Sequence, residues 1–134
     1  MIQTTQTQRK TGIIAVVDDD EPLREALGSV LKAAGFPIET FGSAEEFLES
    51  DRRSISCVIL DVRLPGMSGI ELQRRLRDAN SAVPIVFVTA HGDAAVRDLA
   101  MKGGACGFLN KPVRSDTLLE QIRVALEKRS NPKN

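Results

Sequence analysis

The chain is poor in cysteine and histidine, with two of the first and one of the second in 134 residues, and it has no net charge. Each scarcity removes a class of function. Cys57 and Cys106 both sit in strand-like apolar runs, where buried thiols belong in a reducing compartment, so no disulfide framework is expected. His91 lacks a second ligand nearby, which argues against a metal or catalytic role for its imidazole. Eighteen basic and eighteen acidic residues cancel, leaving no bulk field to recruit nucleic acid or an anionic membrane. Direct nucleic-acid binding by this chain is therefore not expected. No apolar stretch approaches the roughly 18 residues of a membrane span, and residues 1–11 hold no apolar core of a secretory signal. The expectation is a cytoplasmic chain with no membrane partner. No G-x-G-x-x-G or P-loop follows the first strand-like run, which disfavours a nucleotide- or flavin-binding module.

What is present is ordinary globular material, 42% hydrophobic and 27% charged, enough for one domain with a single core. From Gly12 onward, strand-like and helix-like patterns alternate without an internal linker. After Asp18-Asp19, the apolar residues Leu23, Ala26, Leu27, Val30, Leu31 and Ala34 repeat at helical period. Asp20 is placed to cap that helix, Pro22 fits its first turn and Gly35 ends it. A short strand is expected over residues 38–41. Ser43-Ala44-Glu45-Glu46 and Ser68-Gly69-Ile70-Glu71 read as capping boxes, the second opening a helix that turns Leu72, Leu76 and Ala79 inward. Further strands are expected near residues 83–88 and 106–109, separated by a helix from about Asp93 to Gly103-Gly104. A last helix puts Leu118, Leu119, Ile122, Ala125 and Leu126 on one face. Residues 1–11 read as a disordered head and 129–134 as a polar tail or the start of a linker.

Strand followed by helix, five times, with strands apolar on both faces, implies a parallel sheet covered on each side. The expected class is α/β, a flavodoxin-like (βα)5 three-layer sandwich with strand order 2-1-3-4-5. In that order strands 1 and 3 are neighbours at the switch point, where open α/β sheets bind ligands at the strands' carboxyl ends. Four strand ends carry chemistry. Val16-Val17 runs into Asp18-Asp19, Ile59-Leu60 into Asp61, and Phe87-Val88 into Thr89-Ala90, while Leu109-Asn110 delivers Lys111-Pro112.

Three carboxylates in one crevice repel; two charges about 5 Å apart at an effective dielectric near 20 cost on the order of 3 kcal/mol. A divalent cation is the usual remedy, and an all-oxygen ligand set favours Mg²⁺. Lys111 adds a compact positive charge suited to phosphate oxygens. A carboxylate attacking phosphorus needs its charge neutralised and the phosphoryl oxygens held in line, and the Thr89 hydroxyl is placed to bond one of those oxygens. The inferred product is an acyl phosphate on Asp61.

The sequence resembles a receiver domain of a bacterial two-component response regulator over residues 12–128. The resemblance is carried by Val16-Val17-Asp18-Asp19-Asp20, by Leu60-Asp61-Val62-Arg63-Leu64-Pro65-Gly66-Met67-Ser68-Gly69, by Val88-Thr89-Ala90 and by Asn110-Lys111-Pro112. It implies that Asp18, Asp19, Asp61 and the Arg63 backbone carbonyl bind Mg²⁺, and that Asp61 accepts a phosphoryl group from a sensor histidine kinase. It implies that Thr89, the Ala90 amide and Lys111 hold that group, that Thr89 and Phe108 form a switch, and that Arg63 and His91 occupy positions that tune phosphoryl lifetime. Gly92-Asp93 and residues 123–128 are most similar to the NarL/FixJ class. A receiver of that class implies a transcriptional output domain, and a signalling surface without basic or catalytic groups has to act through protein contact, so a phosphorylation-dependent homodimer is expected.

Three departures and rivals accompany this reading. Ser68 stands where Asp or Asn is frequent, but caps a helix equally well. An aspartyl-phosphate hydrolase of the haloacid-dehalogenase type needs a second Asp two residues after the nucleophile, where this chain has Arg63. A stand-alone phosphorelay receiver is the other alternative; the linker-like tail favours the front part of a longer regulator.

Overall fold

In β1 (Ile13–Val17), Ile14 and Val16 face one side, Ala15 and Val17 face the other, and all four have no exposed surface. A strand buried on both faces has to lie inside a sheet covered twice. The computed structural model describes residues 12–130 and has that architecture. The remaining strands are β2 (Ile38–Phe41), β3 (Ile55–Leu60), β4 (Ile85–Thr89) and β5 (Gly107–Asn110). They alternate with α1 (Glu21–Ala33), α2 (Ala44–Glu49), α3 (Gly69–Asp78), α4 (Ala94–Lys102) and α5 (Ser115–Ser130). The sheet is parallel with order β2-β1-β3-β4-β5, as the alternation of patterns implies.

Each face of the sheet makes its own core. Ile14, Val16, Cys57, Ile59, Val86 and Val88 pack under Leu27 and Leu31 of α1 and Leu118, Ile122 and Ala125 of α5. Ala15, Val17, Val58, Leu60 and Phe87 pack under Ala44 and Phe47 of α2, Leu72 and Leu76 of α3 and Ala100 of α4. Pairing of Val17 with Leu60, Leu60 with Phe87, and Thr89 with Asn110 brings the carboxyl ends of four strands to one edge. That register creates the site.

Local chemistry sets the helix starts. The side chains of Asp20, Ser43, Ser68 and Asp93 accept backbone N–H groups of Leu23, Glu46, Glu71 and Val96 at 2.9–3.2 Å, filling donors that a first turn leaves orphaned. In the first capping box the Glu46 carboxylate reaches one residue past the cap, accepting the Gly42 N–H at 3.1 Å rather than that of Ser43. The second closes only halfway, because Glu71 turns to Arg74 and Arg75. Gly35, at φ +96°, follows the end of α1 in the left-handed region that glycine enters freely.

Several expectations need correction. Ala26, Ala34 and Ala79, read as inward, are exposed; an alanine at the border of an apolar stripe buries too little to fix its side. β4 begins at Ile85 rather than at residue 83, since Pro84 accepts the Val58 N–H at 2.9 Å but has no N–H to return. α5 extends to Ser130, two residues into the segment read as a tail. The head at 1–11 and the rest of that tail, 131–134, lie outside the described residues. Cys57 is buried and Cys106 half-buried, with no disulfide between them. Among the described residues no helix is long and apolar enough to cross a membrane.

Candidate functional site

Asp18 follows β1 and Asp61 follows β3, neighbouring strands, so both carboxylates rise at the same edge of the sheet. Asp18 is 3% exposed and Asp61 6%, a degree of burial that charged groups tolerate only when paired. The Lys111 ammonium, carried just past β5, donates to Asp18 Oδ2 and to Asp61 Oδ2, both at 2.9 Å. The other oxygens are held from the backbone. Asp18 Oδ1 accepts the Asp20 N–H at 2.9 Å, and Asp61 Oδ1 accepts the Arg63 N–H at 3.2 Å. Burial, helped by the Asp61 charge, raises the Asp18 carboxyl above its ordinary range against the opposing pull of the Asp20 N–H and Lys111. For Lys111, burial pushes downward and is outweighed by its bonds to Asp18 and Asp61, so the ammonium titrates above its usual value.

Asp19 completes the cluster. It is exposed, yet carboxylate oxygens of Asp18, Asp19 and Asp61 all lie within 4.8 Å of one another. Three hard oxygen donors around one point, partly neutralised by a single ammonium, fit a hard divalent cation. Thr89 closes the site at the end of β4 with no exposed surface. Its hydroxyl oxygen accepts the His91 N–H at 3.2 Å, and its carbonyl accepts the Lys111 N–H at 2.9 Å. The peptide between Lys111 and Pro112 is cis.

Ala90, Arg63 and His91 are exposed beside these groups. The contact His91 makes to Thr89 is through its backbone amide, which any non-proline residue would offer. Phe108 is half-buried in β5, its ring tilted 41° to that of Phe87 with centroids 6.0 Å apart. Gly92 sits on this ring; a Cβ there would lie 2.5 Å from it and 2.5 Å from Asn110 Oδ1.

Four residues that bear on the site escaped the sequence reading. Arg24 of α1 donates to the Asp18 carbonyl at 2.6 Å. Glu45 of α2 accepts the Met67 N–H at 2.9 Å, across 22 residues, and so ties down the loop that follows Asp61. Gly69 lies against the Asp61 backbone. Gln73, buried in α3, donates to the Ala100 carbonyl at 2.9 Å and joins α3 to α4. A long polar residue on a helix looks like solvated surface until the partner element is placed, so no local signal marked Arg24, Glu45 or Gln73. Gly69 was read as part of a capping box and of the motif around Asp61, without a packing role.

Residues 14–123 match the family model for the response regulator receiver domain. The chain belongs to the response regulator receiver family. Receivers are phospho-acceptor signalling domains. The response regulator protein TodT of Pseudomonas putida is 42% identical over 119 residues, covering 88% of this chain and 52% of TodT. The transcriptional regulatory protein FixJ of Bradyrhizobium diazoefficiens is 42% identical over 116 residues, covering 86% of this chain and 57% of FixJ. The solved structure of the response regulator StyR superposes with a TM-score of 0.83 at 44% identity, over 90% of this chain and 62% of that one. This receiver thus spans about half the length of the curated relatives it matches, and its likeness to the FixJ class is borne out.

Proposed function

We propose that Asp61 is the phospho-acceptor of this receiver, within a domain spanning residues 12–128. The observation that carries this is the Lys111 bridge: one ammonium 2.9 Å from both Asp18 and Asp61, at the edge where Asp19 and Thr89 also converge. An Asp61 oxygen attacks the phosphorus of a phosphohistidine on a sensor histidine kinase. The new O–P bond forms as the P–N bond breaks, and the imidazole leaves with the bonding pair. Asp18, Asp19, Asp61 and the Arg63 backbone carbonyl hold Mg²⁺, which when bound supplies positive charge to the phosphoryl oxygens. Lys111, the Thr89 hydroxyl and the Ala90 amide take the remaining phosphoryl oxygens. The domain is not a turnover enzyme; it catalyses its own phosphorylation and dephosphorylation.

Thr89 and Phe108 couple the site to the α4–β5–α5 face. The phosphorylated face pairs with a second copy. Output is transcriptional, through a further domain of the whole protein and in the cytoplasm, while this domain makes no nucleic-acid contact. Acetyl phosphate with Mg²⁺ tests the assignment. One base-labile phosphoryl group per chain is expected, and none with Asp61→Asn or after chelation. Equal labelling of the Asn variant moves the acceptor elsewhere.

A further inference from the structure

We propose that Arg24 is a positioning residue for the metal-binding acids, an inference that rests on the reading of Asp18, Asp19 and Asp61 as ligands. The Asp18 carbonyl lies where the sheet runs out. Its N–H still makes a ladder bond, to the Phe41 carbonyl at 3.1 Å, but β2 ends at Phe41 and offers no donor in return. Four residues on, where a helix would supply an N–H, stands Pro22, which has none. The donor it finds is the Arg24 guanidinium, at 2.6 Å. Arg24 reaches it from the first turn of α1, where its own N–H is fixed on the Asp20 carbonyl at 2.9 Å.

This contact fixes the peptide between Asp18 and Asp19. The two acids differ in what else holds them. Both Asp18 carboxylate oxygens are engaged, by the Asp20 N–H and by Lys111. The exposed Asp19 carboxylate has no hydrogen-bond partner among the described residues. The direction of its Cα–Cβ bond is therefore set by the backbone alone: the Asp18 carboxylate holds the Asp19–Asp20 peptide through the Asp20 N–H, and Arg24 pins the Asp18–Asp19 peptide. A planar guanidinium serves better than an ammonium, because its donors sit at fixed angles and restrict the tilt of the carbonyl they meet.

The sign of the effect separates this role from plain electrostatics. A positive charge close to a divalent site repels the ion, so removing it would tighten Mg²⁺ binding if only the through-space field mattered. If Arg24 works by holding the Asp18–Asp19 peptide, removing it weakens binding. Loss of a group that orients a metal ligand typically costs about 10- to 100-fold in affinity.

The test is calorimetric titration of the full chain with Mg²⁺, comparing wild type, Arg24→Gln, Arg24→Lys and Asp18→Asn, with metal-free melting curves to establish folding. Arg24→Gln is expected to raise the Mg²⁺ dissociation constant about tenfold, and Arg24→Lys to cause a smaller loss. With acetyl phosphate, the Gln variant should label slowly at low Mg²⁺ and approach the wild-type rate once Mg²⁺ saturates, a recovery that a merely misfolded variant would not make. If Gln does not fold, the Lys variant carries the same comparison. Unchanged or tighter Mg²⁺ binding by a folded Arg24 variant overturns the proposal; Asp18→Asn losing the ion in that experiment leaves the acidic site standing. Failure of the wild type to bind Mg²⁺ overturns both.

Discussion

Gly69 lies over Asp61: a Cβ added to Gly69 would come within 2.1 Å of the Asp61 carbonyl oxygen and 3.1 Å of the Val62 Cα. The neighbour is backbone, which cannot swing aside as a side chain does. Gly69 also donates its N–H to the Val62 carbonyl at 2.8 Å, so the first turn of α3 is drawn tightly onto the strand end that carries Asp61, the proposed acceptor. Gly69→Ala is expected to cost about 1–3 kcal/mol, the usual range for forced overpacking, read from the denaturant midpoint. The same displacement moves Asp61 relative to Lys111, so labelling by acetyl phosphate should slow as well. A variant as stable and as readily labelled as wild type would show that the loop yields without disturbing the site.

The burial of Asp18 makes a pH prediction. Its folded-state pKa is raised, chiefly by burial, so the native chain holds this proton to higher pH than the unfolded chain does. Between the ordinary carboxyl range and the raised value, stability from this group falls as pH rises, and above the raised value the full penalty applies. In metal-free buffer at neutral pH, Asp18→Asn should therefore be more stable than wild type. It removes the cost of burying this charge and the smaller repulsion from Asp61, and the gain should shrink toward zero in acid. Adding Mg²⁺ reverses the order: at 100 times its dissociation constant an ion stabilises wild type by about 2.7 kcal/mol and the variant far less. Urea titrations with and without Mg²⁺ check both halves. A variant less stable without metal would mean that the Lys111 bond to Asp18 outweighs the cost of burial.

The fold was legible because three of its determinants are local. Strands apolar on both faces, such as Cys57–Leu60, demand a covered parallel sheet; Asp20, Ser43, Ser68 and Asp93 mark helix starts by side-chain chemistry; and acids at the ends of β1 and β3 meet once the strand order is 2-1-3-4-5. What could not be read depends on side chains crossing between elements. Arg24 and Glu45 look like the solvated faces of α1 and α2, and only the docked helices bring them to the Asp18 carbonyl and the Met67 amide. The residue type fixes what each group can donate or accept, but its partner is set by tertiary packing. The exposed alanines are the converse case, where a small apolar residue satisfied the periodicity without needing burial.

Arg63 separates backbone from side chain. Its N–H donates to Asp61 Oδ1 at 3.2 Å, its carbonyl is the proposed fourth ligand, and its side chain is exposed. Arg63→Ala keeps both backbone groups. Mg²⁺ affinity should stay nearly intact while the acyl-phosphate half-life shortens a few-fold, since the long cationic side chain is proposed to shield the phosphoryl group from attacking water. Decay of the labelled protein measures the lifetime and calorimetry the affinity. A large loss of Mg²⁺ binding would instead show that the guanidinium organises the acidic pocket.

Switching has to be driven by contacts that differ between the two states, and moving a population from 1:99 to 99:1 takes about 5.5 kcal/mol. Lys111 contributes less to this than its charge suggests, because it already bonds Asp18 and Asp61 and a bond to a phosphoryl oxygen is largely an exchange. Thr89 contributes more: its hydroxyl oxygen accepts from the His91 amide, and its hydrogen is a donor that a phosphoryl oxygen would newly satisfy, worth about 1.5–3 kcal/mol for a bond to a charged group. If Thr89 moves toward the phosphoryl group, the loop bearing His91 and Gly92 follows, and Gly92 sits on the Phe108 ring. The ring must then shift, and with it the α4–β5–α5 face, where α4 exposes Leu99 at 59% and Met101 at 39%. Beryllofluoride, a phosphoryl mimic, should therefore convert a monomer into a dimer in sedimentation experiments. Leu99→Asp should block dimerisation while labelling of Asp61 proceeds. A monomer unchanged by beryllofluoride across a wide concentration range would reject pairing through this face, and a dimer that survives Leu99→Asp would put the contact elsewhere.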